Sequence, residues 1–122
     1  MGIIGIHTLI YTSEPEALRA TLRDVFGWDH VDAGDGWLIF ALPPAEMGVH
    51  PADAHGPGTP AGTQQLSIMC DDIEATLDEL RGKGLEVTSG PNDEGFGITA
   101  FVALSGGVQM MVYEPRHPSP LT

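Results

Sequence analysis

The stretch QLSIMCDDIEATLDELRGKG, residues 65–84, has the same pattern as an earlier stretch, HTLIYTSEPEALRATLRDVF, residues 7–26. Each copy begins with a short, largely apolar run, which predicts a strand. Each continues with apolar residues at helical spacing, which predict a helix. The offset between His7 and Gln65 is 65 − 7 = 58, and it recurs along the following helix. The chain is therefore built from two similar units.

Three further strands are predicted in each unit, so that each reads strand, helix, strand, strand, strand. In the first unit we expect strands at 3–11, 29–33, 36–42 and 45–50, and in the second at 65–70, 85–88, 98–104 and 108–114. Ser13 and Asp71 are the predicted N-cap residues of the two helices, because each is followed three residues later by a glutamate, as in a capping box.

We expect one domain, because 122 residues fall within the usual size of a single domain. Its predicted parts are a first module at 1–50, a linker at 51–63, a second module at 64–115 and an extended tail at 116–122. The linker is rich in proline and glycine and has no periodicity. His50, Asp53 and His55 in and beside it are interpreted as solvated loop residues, because loops are normally polar.

The charge excludes some partners. The chain has 17 acidic and 5 basic residues and a net charge of −12. Nucleic acid is excluded as a partner because phosphates require lysine and arginine. A membrane partner is not expected either, since anionic lipid would be repelled and no long apolar run is present. A single cysteine and the lack of a basic leader favour a cytoplasmic location.

The paired modules, the helix DDIEATLDELRGKG at 71–84 and the closing strand GGVQMMVYEP at 106–115 resemble the vicinal oxygen chelate superfamily. That group includes glyoxalase I, extradiol dioxygenases and bleomycin-resistance proteins. The resemblance implies an α+β fold of two tandem βαβββ modules. Their curved mixed sheets would enclose a cavity, often completed across a homodimer.

The resemblance also indicates where a metal would bind. Metal-dependent members take a histidine or similar ligand from the first strand of each module and a glutamate from the last. The matching residues here are His7, Gln65 and Met111, with Met47 at the repeat equivalent of Met111. Neutral amide and thioether groups suit hard divalent ions poorly. We therefore expect no metal and no other cofactor; if a metal binds, the ligands would be His7, Gln65 and Glu114, or Glu46 in place of Glu114. Glu114 is three residues past Met111, so strand alternation turns it to the opposite face.

Nucleophilic catalysis has little support. Cys70 precedes Asp71 and Asp72, whose negative charge raises the pKa of a thiol, so we interpret it as a packing residue.

Strand alternation instead predicts an apolar binding surface. Ile6, Ile10, Leu66 and Ile68 would pack beneath the helices, and residues of the opposite parity would face the cavity. The predicted ligand-binding residues are His7, Leu9, Tyr11, Trp37, Met47, Val49, Gln65, Ser67, Met69, Phe101, Gln109, Met111 and Tyr113. Methionine and aromatic side chains with a few polar groups are typical of a site for a flat, largely apolar molecule.

These residues favour binding over catalysis. We expect a non-catalytic protein that sequesters a bulky aromatic natural product, as in antibiotic resistance. The alternative is a metal-dependent lyase or oxidoreductase, of the glyoxalase or dioxygenase kind, that chelates two vicinal oxygens of its substrate.

Overall fold

Within residues 2–52 and 59–121, which are those that the computed structural model describes, the chain forms two helices and six strands. In chain order they are α1 (Pro15–Asp24), β1 (His30–Asp32), β2 (Leu38–Phe40), β3 (Ser67–Met69), α2 (Ile73–Gly82), β4 (Glu86–Asp93), β5 (Gly97–Leu104) and β6 (Val108–Pro115). The predicted α+β class is confirmed.

The second module contains the complete strand–helix–three-strand unit. Its sheet has the order β3–β6–β5–β4, with β3 parallel to β6 and the other pairs antiparallel. Alternate residues of β5 and β6 are fully or almost fully buried, among them Ala100, Val102 and Val112. They form one cluster with Leu77 of α2 and Leu22 of α1. The core therefore lies between this sheet and the helices.

Helix α2 begins with two carboxylates at its N-terminus. The Asp72 side chain accepts a hydrogen bond from the Ala75 amide at 3.1 Å, and Glu114 Oε1 accepts one from the Ile73 amide, also at 3.1 Å. The prediction of Asp71 as the N-cap was wrong by one residue. Asp72 is the residue with extended backbone, at φ −144°, just before the first helical turn, and so it can reach the exposed amides.

Helix α1 begins differently. Its N-cap is Glu14, which makes no side-chain capping bond, and Pro15 is the first helical residue. The prediction of Ser13 as the N-cap was wrong, because the fixed φ of proline sets the start of the helix at Pro15. The Thr12 hydroxyl instead donates to the Ser105 carbonyl at 2.7 Å, which joins the approach to α1 to the β5–β6 turn.

The first module has fewer regular strands than predicted. Strands β1 and β2 pair with each other, which confirms strands within 29–33 and 36–42. Residues 2–11 and 41–52 form no regular strand, so the predictions at 3–11 and 45–50 were wrong. A strand needs a neighbour for its amide and carbonyl groups, and the described part of the chain pairs no strand with these two segments. Ile4 and Ile6 are consequently exposed.

Within the part of the chain that the structure describes, the two sheets do not close around a cavity, in contrast to the predicted enclosure. We use the term "open face" for the side of the four-stranded sheet opposite α2. Asp53 and His55 of the linker, and Thr122 of the tail, lie outside the described residues. No helix in the described ranges is long and apolar enough to span a membrane.

Candidate functional site

The open face is built by strand alternation. Because Met110 and Val112 are buried against the helices, Met111 and Tyr113 project to the other side of the sheet. Phe101 of β5 lies opposite Met111, and Ser67 of β3 flanks Met111 on the other side. Met69 is likewise paired with Tyr113. Paired residues on adjacent strands share a face. The structure therefore brings together the predicted site residues of the second module.

Polar groups stand at one end of this face. The Thr88 hydroxyl donates to Gln109 Oε1 at 2.6 Å, which fixes the side chain of Gln109 beside β4. The Gln65 amide nitrogen lies 3.4 Å from the Ser67 hydroxyl, to which it donates. The open face thus carries amide and hydroxyl groups beside its sulfur and aromatic groups.

Tyr113 stands at the other end, among aromatic neighbours. The ring of Phe96 meets it edge-on at 6.3 Å, and the ring of His117 lies 6.1 Å away. Burial raises the pKa of the Tyr113 phenol, and the negative charge of Glu46 raises it further. The phenol therefore stays protonated at neutral pH and can donate or accept a hydrogen bond.

Phe96 and His117 were not among the predicted site residues, and Glu46 was predicted only as an alternative metal ligand. They belong to a segment without regular structure, a turn and the tail, where there is no periodicity to indicate a face. The proline-rich composition of the tail predicted an extended chain, but it gave no signal that His117 would contact Tyr113.

The predicted site residues of the first module occupy different surroundings. His7, Leu9, Tyr11, Met47 and Val49 are all exposed and lie in the segments without regular strand. They are outside the sheet that forms the open face.

Trp37 precedes β2 and is about half exposed. The guanidinium carbon of Arg19 in α1 lies 4.7 Å from the centre of its ring, which is a cation–π contact. Arg19 therefore covers part of the indole surface that we expected to stack on a ligand.

The available donors do not fit a hard divalent metal ion. Glu114 Oε1 is engaged by the Ile73 amide at the start of α2, so this carboxylate lies on the helix side of the sheet, as strand alternation predicted. His7 and Gln65 are exposed on separate segments. Among the described residues, no three His, Cys, Asp or Glu side chains are close enough to hold a metal. At the Tyr113 end of the open face the Glu46 carboxylate lies beside the His117 ring. The other donors near this face are amides, hydroxyls and thioethers, which bind such ions weakly.

Cys70 is a poor nucleophile. Burial raises the pKa of its thiol, and the carboxylates of Glu114 and Asp71 raise it further. Its sulfur lies 3.6 Å from the Tyr113 carbonyl, to which the thiol donates. These contacts fit its interpretation as a packing residue.

Comparisons with known proteins give a family and a fold. The family model for the glyoxalase/bleomycin resistance protein/dioxygenase superfamily matches residues 6–117. The chain is similar in structure to TnmS3, an antibiotic binding protein from Streptomyces sp. CB03234, with a TM-score of 0.65 and 22% identity over 94% of this chain and 98% of that one. It is also similar to a lactoylglutathione lyase from Agrobacterium tumefaciens, with a TM-score of 0.61 and 19% identity over 93% and 96% of the two chains.

A third similar structure is a glyoxalase/bleomycin resistance protein from Streptomyces sp. CB03234, with a TM-score of 0.55 and 21% identity over 84% of this chain and 93% of that one. No curated protein matches the sequence. At these identities the solved structures establish the fold alone.

Proposed function

This chain belongs to the glyoxalase/bleomycin resistance protein/dioxygenase superfamily, and we propose that within it the protein binds and sequesters an aromatic small molecule without transforming it. The observation that carries the proposal is the composition of the open face. Met69, Phe101, Met111 and Tyr113 lie side by side there on three adjacent strands.

Such a face suits a flat, largely apolar ligand. Methionine side chains adapt their shape, and their sulfur atoms make favourable contacts with aromatic rings. Ser67, Gln109 and the Tyr113 phenol supply the few hydrogen bonds that orient a ligand. In this proposal affinity is the whole activity, because a bound natural product is withdrawn from its target.

The similar structures support this class of function. One is an antibiotic binding protein and another carries the name bleomycin resistance. The lactoylglutathione lyase favours the alternative, a metal-dependent enzyme. The donors described above support that alternative less well, since Glu114 is engaged at the start of α2.

We further propose that the protein is a homodimer whose second copy covers the exposed apolar side chains of the first module. Ile3, Ile4, Ile6, Met47 and Val49 are all more than two-thirds exposed in the single chain. Large apolar side chains exposed in such number are typical of an interaction site. A partner could also bring His7 and Met47 of one copy to the open face of the other.

We propose a cytoplasmic location, with neither nucleic acid nor a membrane surface as partner, because the net charge of −12 would repel both.

The proposal is tested by calorimetric titration with a panel of polycyclic aromatic natural products, followed by Met111→Ala. Removing this thioether should weaken binding of any ligand found by about tenfold, because a buried methionine contributes roughly 1.5–3 kcal/mol. Met110→Leu is the matched control: it changes the neighbouring residue on the helix side of the sheet and should leave affinity unchanged.

Metal titration distinguishes the alternative function, a metal-dependent enzyme, from sequestration. Mn²⁺, Fe²⁺, Ni²⁺ and Zn²⁺ are titrated into chelator-treated protein. Tight, stoichiometric binding that His7→Ala abolishes would overturn the sequestration proposal and favour the enzyme. Binding of an aromatic ligand that is unchanged by added metal would support sequestration.

A further inference from the structure

The C-terminal tail, residues 116–121, lies against the Tyr113 end of the open face. Its first residue continues the pairing of β6: the Arg116 amide donates to the Phe96 carbonyl at 2.8 Å. The Arg116 guanidinium also forms an ion pair with Asp93 at 3.1 Å. These contacts fix the direction in which the tail leaves the sheet.

Beyond this point the tail contacts Glu46, which lies in the segment of the first module without regular structure. The Ser119 hydroxyl donates to Glu46 Oε1 at 2.7 Å, and His117 Nε2 lies 3.7 Å from Glu46 Oε2. The Glu46 side chain is only 18% exposed, whereas its neighbour Met47 is 80% exposed. A carboxylate withdrawn from water needs hydrogen-bond donors, and the Ser119 hydroxyl of the tail supplies one.

The tail also places a flat, nitrogen-bearing ring beside the aromatic end of the face. The ring of His117 lies beside that of Tyr113, tilted by 32°, and its Nε2 lies 3.3 Å from the Tyr113 hydroxyl. His117 Nδ1 is 2.8 Å from the Pro118 carbonyl, which can only accept, so Nδ1 carries a proton. The tail thus places an aromatic nitrogen ring beside Tyr113 and a hydroxyl on Glu46.

Resting on the proposed binding function, we propose that the tail acts as an internal competitor: a ligand displaces His117 and Ser119 and takes Glu46 as its anchor. The ligand class that fits is a flat aromatic molecule with a protonated amine, or an amine and a hydroxyl. Such a molecule replaces the Ser119 hydroxyl at Glu46 and the His117 ring beside Tyr113. A ligand without donors leaves this carboxylate unpaired and is rejected. The net charge of −12 favours the same class.

The test uses two tricyclic dyes as probes, the cation proflavine and the anion fluorescein, with fluorescence titration of the full chain. Wild-type protein should prefer proflavine. Glu46→Gln should weaken proflavine binding by about tenfold, because it removes a charged hydrogen-bond acceptor. The double variant His117→Ala, Ser119→Ala should bind proflavine more tightly by several-fold, since the competitor is removed. The control His30→Ala, on β1, should change neither affinity.

Amide signals of the tail provide a readout that needs no ligand. In wild-type protein the heteronuclear NOE of the amides of His117, Ser119 and Leu121 should resemble that of β6, and in Glu46→Gln it should fall towards that of a free tail. A tail that is already mobile in the wild type overturns the proposal.

Different results would overturn the proposal for the tail and the proposal of sequestration. Equal affinity for both dyes, unchanged by Glu46→Gln and by the double variant, overturns the anchor role of Glu46 and leaves sequestration standing. Absence of dye binding in the double variant also overturns the anchor role. Sequestration itself is then judged by the natural-product panel and Met111→Ala.

Discussion

The two modules share a sequence pattern and differ in how many of their predicted strands are paired in a sheet. In the second module Ile68 lies in β3, which pairs with β6 and packs against the core. In the first module Ile10, at the equivalent position (68 − 10 = 58), is half-buried but lies in no strand, and Ile4 and Ile6 are exposed. Alternation therefore determines which side of a strand is apolar, but a strand also needs a neighbour to pair with.

The largest expected effect is in the core of the second module. Leu77→Ala removes a side chain with no exposed surface and leaves a cavity between α2 and the sheet. We expect the free energy of unfolding to fall by about 2–5 kcal/mol, measured by urea denaturation. In the monomer, the control Ile6→Ala should change it by less than about 0.5 kcal/mol. Equal losses of unfolding free energy for the two variants would contradict the expected difference, because they would mean that both modules are equally packed.

A charged substitution in the first module tests whether a partner copy covers its exposed apolar side chains. Ile6→Asp places a carboxylate among the exposed isoleucines, and a partner copy could bury it only at high cost. We expect the dissociation constant of the dimer to rise by at least about tenfold, measured by sedimentation velocity over a range of concentrations. The control Gly2→Asp adds the same charge without removing an apolar side chain. A wild-type protein that is monomeric throughout would contradict the proposed partner.

The smallest expected effect compares the two helix starts. Asp72→Ala removes the bond from the Ala75 amide and should lower the free energy of unfolding by about 1 kcal/mol. The equivalent change in the first module, Glu14→Ala, removes no capping bond and should alter it by less than about 0.5 kcal/mol. Chemical denaturation of both variants gives the comparison. A similar loss in the two would show that Glu14 caps α1 in solution.

Much of the second module could be predicted from the sequence. Helix α2 and strands β5 and β6 appear within a few residues of their expected positions, and Met111 and Glu114 take opposite faces as predicted. These features depend on local spacing, which a sequence displays directly. The exact N-cap was missed because Asp71 and Asp72 are adjacent carboxylates, and only the backbone conformation distinguishes them.

What could not be predicted depends on contacts between distant segments. Glu46 and His117 are 117 − 46 = 71 residues apart, in two segments without periodicity, so no local pattern relates them. The same limit applies to the segments at 3–11 and 45–50. Their composition favours strands, but pairing depends on a neighbour that the composition does not identify.

The order of the two modules along the chain also determines the order in which their parts can fold during synthesis. Strands β4, β5 and β6 follow one another with short turns, and β3 pairs only with β6, the last strand to be made. The β4–β5 and β5–β6 pairings are local and form quickly once their residues are available, whereas β3 waits for β6. Because the ribosome makes residues 2–52 before any of these strands, the exposed isoleucines emerge well before the sheet exists. The module that is synthesised first therefore depends on the module that is synthesised last for its contacts in the folded state.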